Sequence, residues 1–115
     1  MDDLIFENIK KLIGFSLDYN AFDTDILVQI NMAFDILYQL GVVNEKRYID
    51  KGTTWGSFNF TPEIIGMVKD YVYMKSKRIF DPPASSCVME AIDKSIAELE
   101  WRLNVAVDHG GKECD

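Results

Sequence analysis

One histidine and two cysteines are the whole supply of imidazole and thiol in the 115 residues. His109 lies in a glycine-rich tail, and Cys87 and Cys114 make neither a disulfide framework nor a ligand spacing. A structural zinc site takes about four ligands. The reading is therefore two unpaired thiols and a solvated imidazole, with no metal and no cofactor. Basic residues are scarce as well: 12 Lys and Arg stand against 19 Asp and Glu, a net charge of −7. That opposes nucleic-acid binding driven by phosphate neutralisation, which needs clustered Lys and Arg. No apolar run approaches the roughly 18–20 residues of a membrane helix. The start, MDDLIFENIKK, lacks the basic region of a signal peptide, so synthesis in the cytoplasm is expected. There is no phosphate-cradling glycine loop, nucleophile elbow or HExxH. Ser85 and Ser86 have no histidine in reach and read as helix caps, while Glu98 and Glu100 stand on a mostly solvated face. An enzyme is not expected.

What the chain does have is apolar surface. It is 48% hydrophobic and 12% aromatic, enough for one domain with its own core. Four helical stretches are predicted, giving an all-α fold, a small bundle. The first covers about Asp3 to Ile13, with Ile5, Ile9 and Leu12 on one stripe, Phe6 and Ile13 flanking it, and Gly14 as its stop. The aromatics of FSLDYNAF (15–22) are expected to tuck against the core. The second stretch starts at the N-cap candidates Asp23 or Thr24 and ends before Gly41. Ile26, Ile30, Phe34 and Leu37 form its core face.

Residues 42–60 lack helical period and predict an extended loop or a short β-hairpin turning at Lys51-Gly52. The third helix opens with Thr61 as cap, Pro62 at its first position and Glu63 in its first turn. Lys75 and Arg78 interrupt its apolar arc near the far end, either as snorkelling stems or as one side of a buried ion pair. RIFDPPASSC (78–87) ends that helix at about Phe80, because a proline drives the residue before it out of helical conformation. A link so short and stiff predicts a long antiparallel hairpin of helices three and four. The fourth runs from about Ser86 to Val107, with Val88, Ile92, Ile96, Leu99, Leu103 and Ala106 in a narrow stripe and Glu98 paired to Arg102. One domain, 1–107, and a flexible tail, 108–115, follow.

Two helices carry apolar residues on a second face. Trp101, with Cys87, Ala97 and Val105, lies opposite the stripe of helix four, and Val28, Met32 and Ile36 lie opposite Ile30 on helix two. A helix apolar on two faces is buried on two faces. The cover is either internal, helix one or the long loop, or another subunit, where Trp and Met are enriched. A helix-turn-helix reading founders on Asp70 and on the wide apolar cover of helix three.

The ordered segments FDTDILVQINMAFDILYQLGV (22–42), TTWGSF (53–58), VKDYVYMKSKRIFDPPASS (68–86) and AELEWRLNVA (97–106) resemble small head–tail connector proteins of long-tailed bacteriophages and their prophages, the adaptor or head-completion proteins. The likeness spans roughly residues 1–107, and DHGGKECD (108–115) has no counterpart in it. The resemblance implies a non-enzymatic α-helical protein of the virion neck. Its partners would be the portal protein, neighbouring copies in a ring of about twelve, and the next neck, stopper or tail protein. DNA would pass through the ring without specific binding, and no membrane is involved. By position, Trp55 and Phe58 are expected in the loop that docks on portal or neighbour. Phe80 and the turn Asp81, Pro82, Pro83 would shape one end of the helical hairpin, and Met32, Ile36, Trp101 and Val105 would make lateral contacts. Another phage structural component, capsid-associated or tail-completing, and a non-virion prophage regulatory protein are the alternatives.

Overall fold

The computed structural model describes residues 3–112, with side chains described as far as Val107. Four α-helices follow one another: α1 (Ile5–Leu12), α2 (Asp23–Gln39), α3 (Pro62–Phe80) and α4 (Ser86–Lys112). No strand joins them among the described residues, and the fold is all-α. The backbone of α4 stays helical to Lys112, beyond Val107, as a nucleated helix adds a hydrogen bond for each residue it fixes. The end of the expected tail, 113–115, lies outside the described residues.

Glycine sets the stops of the first two helices. Gly14 (φ 103°) follows α1 and Gly41 (φ 86°) follows α2, both in the left-handed region that costs glycine nothing. Each end closes the same pair of bonds: Gly14 N–H to Lys11 C=O and Phe15 N–H to Lys10 C=O, at 3.0 and 3.1 Å, then Gly41 N–H to Tyr38 C=O and Val42 N–H to Leu37 C=O, at 3.0 and 2.9 Å. This is the Schellman arrangement, and it satisfies carbonyls the helix leaves orphaned. The buried face of α1 is Ile5, Phe6, Ile9 and Ile13, while Leu12 is exposed, so the stripe is turned away from the one the sequence predicts. Ile26, Ile30, Phe34 and Leu37 of α2 are buried as expected, with Ala33 among them. Fully burying one such side chain is worth about 1.5–3 kcal/mol.

The start of α2 differs from expectation. Phe22 occupies the cap position, and Asp23 is the first helical residue. Its carboxylate is taken by two lysines, accepting from Lys10 Nζ at 2.7 Å and from Lys51 Nζ at 2.9 Å. Lys10 is only 1% exposed, on the buried side of α1, and also donates to the Leu17 carbonyl at 3.2 Å. A buried ammonium needs such partners. The two lysines hold the Asp23 carboxyl below its ordinary range, Lys10 by the stronger hydrogen bond and Lys51 by the next.

The β-hairpin expected within 42–60 does not form. A tight turn is present, with Thr53 N–H bonded to Asp50 C=O at 3.2 Å and Gly52 N–H to Asp50 Oδ1 at 2.9 Å. Its two arms pair elsewhere. Thr54 bridges antiparallel to Leu4, through Ile5 N–H to Thr53 C=O at 3.0 Å and Trp55 N–H to Asp3 C=O at 3.1 Å. On the other arm the Asn31 side chain stands in for a strand: its Nδ2 donates to Ile49 C=O at 3.0 Å and its Oδ1 accepts from Ile49 N–H at 2.8 Å. Trp55–Phe58 then forms a single 3-10 turn, ended by Asn59 in the left-handed region (φ 58°).

Thr61 caps α3, its hydroxyl accepting from Ile64 N–H at 3.3 Å, and Ser85 caps α4, accepting from Val88 N–H at 3.4 Å. Arg78 pairs with Asp93, and Tyr71 donates to Glu100 at 2.8 Å. Positions falling along α3 thus meet positions rising along α4. At the other end of α4, Asn104 Nδ2 donates to the Leu40 carbonyl that closes α2, at 3.3 Å.

Four outcomes follow for stability. Ser76 is fully buried with a hydroxyl that has no partner among the described residues, so Ser76→Ala raises stability by about 1 kcal/mol in a urea titration. Asn31→Ala orphans both peptide groups of the buried Ile49 and lowers stability by about 2–4 kcal/mol in the same titration. Asp23→Asn destabilises more than Lys10→Met, because the first strands a buried ammonium while the second leaves Asp23 with Lys51. The Asp23 value is lowered by folding, so its contribution is complete above the unfolded value of 3.8 and is lost as pH falls through the folded one. The stability gap between wild type and Asp23→Asn therefore holds at neutral pH and closes in acid, as read by thermal melts across pH.

Candidate interaction surface

Among the described residues no group of three or more His, Cys, Asp or Glu is placed to hold a metal ion. Cys87 is exposed near the start of α4, and Cys114 and the His109 side chain lie outside what is described. Among the described residues no helix is long and apolar enough to cross a membrane.

The largest exposed aromatic of α4 is Trp101, 67% accessible. The helix buries Ile96 and Leu103 against the core, and a period of about 100° per residue puts Trp101 on the far side. Its neighbours one turn away are Glu98 and Val105, with Arg102 alongside. Glu98 and Arg102 pair with each other at 2.7 Å, as their spacing predicts. Val105 is half-buried.

A groove of about 490 Å³ opens between α2, α3 and α4. Met32 and Ile36 of α2, Ile79 of α3 and Ile96 of α4 supply apolar wall, with Asp35 and Lys75 among its polar lining. α2 and α4 are tied by Asn104 and Leu40 at one end, and further back the gap between them exposes the flank of α3. Arg78 and Asp93 also line this groove, and their ion pair ties α3 to α4 there. The pair is half-exposed, so of the two readings for Arg78 it is an ion pair, but not a buried one. The Arg78 guanidinium holds the Asp93 carboxyl below its ordinary range. Lys75 lies against the Tyr71 ring, 5.8 Å from its centre.

The residues singled out in the sequence fall into four places. Met32, which is exposed, and Ile36, which is half-buried, meet in the groove. Trp101 and Val105 sit on the outer side of α4. Trp55 is 3% exposed, its ring 6.2 Å from that of Phe34 and its indole N–H bonded to Asn8 Oδ1 at 3.3 Å. Phe58 lies 5.1 Å from Phe34 and 5.5 Å from Phe60, under the Arg47 guanidinium at 4.3 Å. In this conformation both aromatics face inward and hold the connection to α2. Phe80 sits edge-on to Phe15 at 6.1 Å, Asp81 pairs with Lys77 at 2.9 Å, and Pro82 and Pro83 carry the chain around to α4. Of the connector aromatics only Phe15 packs on the core; Tyr19 and Phe22 remain 49% and 41% exposed. Ile79, Asp35 and Lys75 were not recognised as parts of one surface. An isoleucine beside basic residues at a helix end was the available signal.

No curated protein and no solved structure matches the chain. A family model does: the one described as phage connector protein covers residues 5–110, from the first residue of α1 into the last turns of α4. The match takes in every helix that builds the groove and the face carrying Trp101, so the chain belongs to the phage connector protein family.

Proposed function

We propose that the protein is a structural component of the phage neck, an adaptor ring that docks beneath the portal, extends the DNA channel and joins head to tail. Membership of the connector family supports the general role. The finer reading rests on one observation: Trp101 stands two-thirds in water on a chain whose core closes without it. An aromatic of that size is costly to leave exposed and is the residue type most enriched at interface hot spots. A cyclic assembly uses two different surfaces of each copy. The outer face of α4 and the groove beside α2 provide two, and they carry Trp101 with Val105 and Met32 with Ile36. The net charge of −7 suits a channel through which DNA slides without adhering. The Phe80–Pro83 turn forms a stiff end of the α3–α4 pair, suited to holding a fixed position against a neighbouring ring.

The test is to mix the purified protein with its portal protein and measure the mass of what forms, with imaging by negative stain. A ring on the portal is expected. A protein that stays monomeric and ignores the portal would remove the reading. Trp101→Ala is expected to keep its melting behaviour within about 0.5 kcal/mol of wild type, as exposed substitutions do, while ring formation weakens by at least about tenfold.

A further inference from the structure

We propose that Trp101 of one copy seats in the groove between α2 and α4 of the next, so that these two features are the projecting and receiving halves of a single contact. The inference rests on the ring reading above and names the surfaces it would use.

Size comes first. A tryptophan carries about 150–250 Å² of surface, and Trp101 has 67% of its own in water. The groove encloses about 490 Å³, room for an indole ring, and its wall includes Met32 and Ile79, each more than half exposed. Both halves offer apolar surface, and neither is covered by the described residues.

Charge sets the register and chooses the occupant. Trp101 is flanked on α4 by Glu98 and Arg102, which pair with each other, and by Glu100, which accepts from the Tyr71 hydroxyl. The groove lining includes two bases and two acids; Arg78 and Asp93 pair with each other, which leaves Lys75 and Asp35, neither of them in an ion pair among the described residues. Seating the indole would let Glu98 face Lys75 and Arg102 face Asp35, replacing an exposed pair worth only a few tenths of a kcal/mol. A second copy therefore brings the tryptophan and the complementary charges together.

The two halves lie on different faces of the molecule, so the contact is heterologous. It leaves each copy with one free half and propagates until a ring closes. One indole and its rim fall well below the roughly 1,000 Å² of a stable interface. The contact is weak between free copies and strengthens when a template holds them side by side.

Site-directed cross-linking decides the matter. In a background of Cys87→Ser and Cys114→Ser, Glu98→Cys is placed in one preparation and Lys75→Cys in another. They are mixed at high concentration, with and without portal protein, and treated with a short bis-maleimide. A Tyr48→Cys preparation, at a residue that is 73% exposed and does not line the groove, replaces Lys75→Cys as the control. The Glu98–Lys75 product is expected to exceed the control by about tenfold in at least one condition, and adding Trp101→Ala to the Glu98→Cys chain is expected to return it to the control level. Yields equal to the control in both conditions overturn the contact, as does a groove cysteine that links to the portal instead. Co-sedimentation with the portal in the same samples reads the ring separately: a portal-bound ring without the product sinks this contact alone, and the product without portal binding sinks the docking reading alone.

Discussion

The side-chain amide of Asn31 gives a long irregular connection its place in the fold. A buried backbone needs partners for every N–H and C=O, and the segment between α2 and α3 has only one short 3-10 turn and no partner strand of its own to provide them. Asn31 meets both groups of Ile49 from the side of α2, and the stretch before α1 meets Thr53 and Trp55. With those bonds in place Ile49 and Trp55 enter the core, and Phe58 closes over Phe34. The connection thus behaves as a fourth wall around α1 and α2 rather than as a loop between helices.

The charged cluster beneath it follows the same logic. Lys10 lies on the buried face of a short helix, where its ammonium stays hydrogen-bonded to Asp23 and Leu17. Asp23 in turn reaches Lys51 in the turn that Asn31 positions. One carboxylate therefore joins α1, the start of α2 and the long connection, three segments far apart in the chain. Such pairs add less to stability than their distance implies, because desolvation offsets much of the attraction. Their contribution is to favour one arrangement over the alternatives an apolar patch would tolerate.

Local punctuation was the legible part of the sequence. Gly14, Gly41, the Thr61-Pro62 start and the Asp81–Pro83 stop each act through backbone geometry within a few residues, so their effect can be read without knowing the fold. The stripe of α2 was legible for a similar reason, its period being long enough to fix a face. Lys10 was not, since nothing in a window around it distinguishes a buried lysine from a solvated one; its partner is 13 residues away. The hairpin failed because turn chemistry fixes the turn and leaves the partners of its arms open, and both arms found partners elsewhere. Trp101 and Trp55 looked alike as candidates for contact. Only the tertiary structure separates them, one on a helix already satisfied on its other side and the other clamped between Asn8 and Phe34.

That separation gives the molecule two intrinsic fluorophores in opposite environments. Trp55 is shielded from water and reports on whether the connection is closed, while Trp101 is open to water and to any soluble quencher. With only two indoles in the chain, the emission of the unmodified protein divides into a quencher-resistant component tied to the integrity of the fold and a quencher-sensitive component tied to the occupancy of α4's outer face. Folding and association are thus written into different parts of one spectrum, without a label.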